Sequence, residues 1–159
     1  MKKKDIILIV GVVLIIAIAL FATKGTHAAN TSLPLRLSGE EKGLIKIDYL
    51  TYESKISNNE NFIIIIERTG CGYCEKYMPI TEEVANELGL PIYYIDTADL
   101  STEDFGKLSE SNRYLKTRKW GTPTTLLMSG STVLDSIGEY VEKDEVVKFI
   151  NKDILLNEE

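Results

Sequence analysis

The chain has two cysteines, and they stand three positions apart in the segment ERTGCGYC, as Cys71 and Cys74 around Gly72 and Tyr73. On one helical turn two such thiols lie within reach of each other. The pair can therefore hold a disulfide, give it up by exchange and take it back. The residues just before, Phe62 to Ile66 (FIIII), read as a strand, and those after read as a helix, so Cys71 stands at a helix start. There the unpaired backbone N–H groups and the positive end of the helix dipole favour thiolate over thiol. Arg68, three residues upstream, is expected to add to that effect. Cys71 is thus the expected exposed attacker with a lowered pKa, and Cys74, one turn later, the more buried resolving thiol. Exchange would pass through a mixed disulfide on Cys71. An inert bridge is the plainer reading, but one spanning two residues closes so small a loop that it adds little stability.

Other chemistry finds less support. Two cysteines are too few for a disulfide framework. A structural zinc takes about four ligands, and the single histidine, His27, falls outside the expected domain. No metal and no cofactor are expected beyond the redox-active disulfide itself; capture of a soft metal by the lone cysteine pair is a separate reading. Net charge is −6 although Lys2, Lys3 and Lys4 sit together at one end, so the rest is more acidic still. Such a surface repels phosphate backbones, and nucleic acid is not an expected partner.

The elements that must position the cysteines follow from periodicity. Gly43 to Asp48 (GLIKID) alternates like a strand, and Tyr49 to Ser57 places Leu50, Glu53 and Ile56 at helical spacing. Phe62 to Ile66 lacks alternation, which marks a strand buried on both faces. From Cys71 to Leu88, Tyr77, Ile80 or Thr81, Val84 and Leu88 recur every three or four positions, an amphipathic helix that Gly89 ends. Pro91 to Asp96 (PIYYID) is a second buried strand, and Ser101 caps a helix carrying Phe105 and Leu108 on one face. Thr124 to Met128 and Thr132 to Ile137 form a hairpin around Ser129-Gly130-Ser131, and a last helix from about Lys143 to Leu155 buries Val146, Val147, Phe149 and Ile150. The expected order is β-α-β-α-β-α-β-β-α, an α/β fold with a central mixed sheet flanked by helices.

Strand, C-x-x-C at a helix start, Pro79 five residues after the second cysteine, and Thr122-Pro123 before a hairpin together resemble the thioredoxin superfamily, over about Gly43 to Glu159. The resemblance implies the thioredoxin fold and thiol–disulfide oxidoreductase activity, with Cys71 and Cys74 catalytic. It also implies that Pro123 is cis and faces the sulfurs, holding the Thr122 backbone open for a substrate strand, and that Pro79 kinks the active-site helix. Substrate would then lie against Gly72, Tyr73, Thr122 and Pro123. The sequence departs from thioredoxin proper at two places. Gly70 stands where thioredoxins have tryptophan, and Ile65 where they bury an aspartate that takes a proton from the second cysteine. Glu67, of the same strand parity, is the candidate substitute; a strand-end residue in solvent is its plainer reading. The Gly72-Tyr73 dipeptide with a threonine before the proline resembles periplasmic disulfide isomerases, without a counterpart of their separate dimerisation domain. Anchor, short domain and ERTGCGYC together look most like the bacteriocin transport accessory proteins of Gram-positive bacteria. Trp120 either lines the surface around the cysteines or closes the sheet edge.

Ahead of the domain, Ile6 to Ala22 is an unbroken apolar run, at the short end of the about 17–25 residues that span a bilayer as a helix. The three lysines before it place the N-terminus in the cytoplasm. The expected organisation is a transmembrane anchor over residues 1–23, a linker over 24–38 and the domain over 39–159, facing outward from the cell membrane. A cleaved signal peptide, with small residues at Thr26 and Ala28, is the rival reading, and it exports the domain too. The expected partners are thiols of secreted proteins or peptides and a redox partner at or outside the membrane. A non-catalytic accessory or chaperone of a peptide export system is the competing function.

Overall fold

The computed structural model describes residues 35–154. The expected anchor and most of the expected linker lie outside them. Among the described residues no helix is long and apolar enough to cross a membrane.

Five strands build one sheet: β1 (Gly43–Lys46), β2 (Asn61–Glu67), β3 (Pro91–Asp96), β4 (Thr124–Ser129) and β5 (Thr132–Ile137), in the order β1-β3-β2-β4-β5. The first three run parallel, with β4 and β5 antiparallel to their neighbours. Parallel neighbours need crossovers. The helices α1 (Tyr49–Ser57) and α2 (Gly72–Leu88) supply them, and α3 (Thr102–Glu110) with a short α4 (Arg113–Lys116) carries the chain from β3 back to β4. A last helix, α5 (Lys143–Asp153), follows the hairpin.

The central strand explains the layering. Along β2, Ile63 and Ile65 join one core with Tyr77, Val84 and Ala85 of α2 and Val146, Phe149 and Ile150 of α5. Phe62, Ile64 and Ile66 join the other with Tyr49 and Tyr52 of α1, Leu108 of α3 and Leu115 of α4. Successive side chains of a strand point to opposite faces, so an all-apolar strand must be covered on both. The expected mixed sheet between helical layers is what forms.

Two expectations need correction. The order contains one more helix, α4, which Asn112 caps by accepting from the Leu115 N–H at 2.9 Å. Four residues are too few to show a period. On α1 the inward face is Tyr49 and Tyr52, whereas Leu50 is 70% exposed. The Tyr52 hydroxyl is paired with Ser111 Oγ at 2.8 Å and accepts from Asn112 Nδ2 at 3.3 Å. With its polar tip satisfied, the larger ring takes the core position.

Within the expected linker, Leu35 makes a parallel bridge to Ile154, and Leu35 and Leu37 pack on the α2–α5 core. The Ser38 N–H donates to the Asn61 carbonyl at 2.8 Å. Residues 35–38 are therefore seated on the domain.

Candidate active site

Cys71 and Cys74 enter the site from the β2–α2 junction. Gly70 turns the chain with φ +81°, a conformation in which a side chain is strained, and Cys71 then caps α2. Its sulfur accepts from the Cys74 N–H at 3.3 Å, and its thiol donates to the Thr122 carbonyl at 3.3 Å. Both cysteines are free thiols; Cys71 is half-buried and Cys74 buried. The Thr122–Pro123 peptide bond is cis, as the resemblance implied, and Pro123 is buried. Pro79 lies inside α2.

The two thiols are driven apart in acidity. Burial pushes Cys71 up, but hydrogen bonding from the Cys74 thiol, the Thr122 side chain and the backbone N–H groups of Cys74 and Tyr73 outweighs it, and the net shift is downward. Burial first, and then the neighbouring Cys71, push Cys74 up to about 11. Near neutral pH Cys71 therefore holds the larger thiolate fraction. Alkylation of the reduced protein at pH 7.5 is expected to label Cys71 roughly 100-fold faster than Cys74, since reactivity follows thiolate fraction and access. Peptide mapping after a short pulse of iodoacetamide measures it. Comparable labelling of the two would contradict this order of acidities.

Arg68 acts differently from expectation. The groups that lower Cys71 are hydrogen-bond donors, and the Arg68 backbone N–H acts instead on the Cys74 sulfur. The Arg68 side chain lines an open groove of about 570 Å³ together with Phe105, Trp120, Gly121 and Thr122. Trp120 thus borders the site. Its indole N–H donates to the Leu115 carbonyl at 2.9 Å, and its ring centroid stands 6.1 Å from that of Phe105.

On the other side of the cysteines Gly72 and Tyr73 are exposed, with open space over Gly72. The Tyr73 ring lies 6.3 Å from that of Tyr140, which in turn meets Tyr77 edge-on at 6.2 Å. Tyr140 follows the hairpin, far along the chain, and no local pattern marks it.

Glu67 is buried at the end of β2, in register with Asp96 of β3. Strand alternation puts it on the Ile63 and Ile65 face, the face that α2 covers. Burial, and after it the Asp96 charge, push its carboxyl up to about 7. Burial also pushes Asp96 up, but bonds from the Thr69 hydroxyl, and from the Ala98 and Thr69 N–H groups, outweigh that and hold it low. Asp96, which sequence reasoning missed, thereby ties the segment leading into Cys71 to the neighbouring strand.

The raised carboxyl has a consequence for stability. Glu67 binds its proton in the folded chain up to about pH 7 but in the unfolded chain only up to its ordinary value of 4.5. Stability from this residue is therefore intact below about pH 4.5 and is lost as pH rises toward 7. Glu67→Gln removes that loss. Urea unfolding at pH 5 and pH 8 is expected to show a pH-dependence smaller than that of the unaltered protein by on the order of 1–2 kcal/mol. An unchanged pH-dependence would show that the raised carboxyl contributes nothing to it.

Among the described residues no cluster of three or more histidine, cysteine, aspartate or glutamate side chains is placed to hold a metal. No family model matches the sequence. Solved structures do. A thioredoxin from Nicotiana alata superposes with a TM-score of 0.55 at 17% identity, covering 74% of this chain and 98% of that one. A mutant thioredoxin from Halobacterium salinarum gives 0.57 at 15% identity, covering 76% and 99%. Thioredoxin f from spinach chloroplast gives 0.55 at 14%, covering 74% and 98%. The fold is therefore the thioredoxin fold.

Proposed function

We propose that this thioredoxin-fold chain is a membrane-anchored thiol–disulfide oxidoreductase that exchanges disulfides with secreted proteins or peptides. The observation that carries the reading is the unequal thiol pair: a half-buried Cys71 of lowered pKa, hydrogen-bonded to Thr122, and one turn on a buried Cys74 pushed up to about 11. Cys71 thiolate attacks one sulfur of a client disulfide, and the other client sulfur leaves as thiolate. Cys74 then loses its proton and attacks the Cys71 sulfur. The client leaves reduced, and Cys71 and Cys74 are joined, having given up two electrons. Run backwards, the same steps oxidise a client dithiol. We assign Glu67 as acceptor of the Cys74 proton, because its carboxyl titrates at about 7 and stands on the sheet face that α2 covers. Client backbone would lie along Thr122 and Pro123, flanked by Gly72 and Tyr73.

The test is turnover of a peptide disulfide by the full chain in detergent with dithiothreitol as electron source, alongside equilibration against glutathione to obtain the potential. No acceleration over dithiothreitol alone would end the enzymatic reading. The outward, single-pass placement, N-terminus cytoplasmic, is supported by Lys2–Lys4 ahead of the apolar run. Protease added to cells stripped of their wall should digest the domain; protection would reverse the orientation. A second reading, a non-catalytic part of a peptide export system, starts from the ERTGCGYC segment and the apolar run ahead of the domain, and it requires the cellular role to survive loss of both cysteines.

A further inference from the structure

The groove beside Cys71 has a chemistry of its own. One part is Arg68, exposed and, among the described residues, paired with no carboxylate. Another is the Phe105–Trp120 pair, with ring centroids 6.1 Å apart. The Trp120 N–H is committed to the Leu115 carbonyl, so the indole offers the groove an apolar surface. Thr122 closes it on the side of the sulfurs, its carbonyl 3.3 Å from the Cys71 sulfur. The acidic groups near the groove are already engaged. Asp104 accepts from the Ser101 hydroxyl at 2.7 Å, Glu103 pairs with Lys107 at 2.7 Å, Asp99 pairs with Lys46 at 2.7 Å, and Asp96 accepts from Thr69 and Ala98. The guanidinium is left as the uncompensated charge of the groove that Thr122 borders.

We infer that this groove selects client segments in which the disulfide cysteine is flanked by an acidic side chain. That carboxylate meets the planar donor fork of Arg68, while an apolar neighbour covers Phe105 and Trp120. The inference rests on the oxidoreductase reading of Cys71 and names its client class. Charge complementarity gives it a discriminating sign. The chain as a whole carries −6, so its long-range field favours basic segments. A preference for acidic ones has to come from a local cation at the site.

The experiment uses the full chain with Cys74→Ala in non-ionic detergent, so that Cys71 captures peptide without onward resolution. The probes are peptides blocked at both ends, each carrying one cysteine activated as its 2-thiopyridyl disulfide, flanked by glutamate, glutamine or lysine. Cys71 thiolate attacks the peptide sulfur, the bond to the pyridyl sulfur breaks, and pyridine-2-thione is released and read by its absorbance. Blocked ends leave the side chain as the only carboxylate. The glutamate peptide is expected to react roughly three to five times faster than the glutamine peptide, the size of effect an exposed ion pair supplies, and the lysine peptide slower than both. The preference should fade in 0.5 M salt. Arg68→Lys should keep the order and Arg68→Glu should reverse it, each judged as a ratio to the glutamine peptide so that any general loss of reactivity cancels. Equal rates in the unaltered groove, a preference for lysine, or a glutamate preference that survives Arg68→Glu would each overturn the assignment. Activated disulfides react with any accessible thiolate. A preference without turnover by the intact cysteine pair would therefore remove the oxidoreductase reading and leave the groove, while turnover without preference would do the opposite.

Discussion

Replacing Cys71 with serine is expected to abolish disulfide exchange, whereas replacing Cys74 with serine leaves the first step and stops the second. Serine keeps the cap on α2, because its hydroxyl can accept from the residue-74 N–H as the Cys71 sulfur does at 3.3 Å. What disappears is the nucleophile, since the thiolate and not the thiol attacks, and a serine hydroxyl does not ionise near neutral pH. Residual turnover of the peptide disulfide should be indistinguishable from dithiothreitol alone. In Cys74→Ser the lowered Cys71 remains, so client should accumulate as a mixed disulfide visible as a mass adduct that reductant removes. The serine hydroxyl can still donate to the Cys71 sulfur as the Cys74 thiol does, so Cys71 keeps its lowered acidity constant. The adduct should therefore form at pH 6 about as fast as the first attack on the unaltered chain. Equal turnover in the Cys71→Ser protein would place the chemistry elsewhere and end the proposal.

The largest effect on stability is expected at Ile64. It is fully buried at the middle of β2, in register with Tyr93 on one side and Leu126 on the other. Ile64→Ala removes apolar volume where its neighbours on β3 and β4 are fixed by hydrogen-bonded ladders and cannot close in. Such truncations cost about 2–5 kcal/mol, against a total of about 5–15 kcal/mol for ordinary domains. The urea midpoint should fall accordingly. Leu50→Ala, at a position 70% exposed on α1, is expected to change stability by less than about 0.5 kcal/mol. A loss at Leu50 comparable to that at Ile64 would contradict the orientation of α1. Because β2 delivers Glu67, Gly70 and Cys71, the Ile64 variant should also lose exchange activity at temperatures where it begins to open, and not below them.

Much of this was legible in the chain before any fold. Phe62 to Ile66 has no polar member, and a strand with none is buried on both faces whatever covers it. Cys71 falls between that strand and an amphipathic run, so its place at a helix start follows from the order of the residues alone. Gly89 and Ser101 are end signals whose physics is local: φ +63° at the first, and a side chain accepting from the Asp104 N–H at 3.0 Å at the second. These features depend on residues a few positions apart, and a sequence displays such relations directly. α1 was harder, because Leu50 and Tyr52 both fit a helical face. The choice between them was made by Ser111 and Asn112, which satisfy the Tyr52 hydroxyl from a distant part of the chain.

The order of residues thus sets the alternation of strands and helices, the thiol pair and its position at the start of α2. How those thiols differ, and what surrounds them, comes from contacts made by the folded chain. The Thr122 carbonyl that accepts from Cys71, the Asp96 charge that helps raise Glu67, the Tyr140 ring beside Tyr73, and the groove that gathers Arg68 with Phe105 and Trp120 all join residues tens of positions apart. A pKa or a groove is set by distance and burial in space. Neither is defined until β3 and β4 have closed on either side of β2.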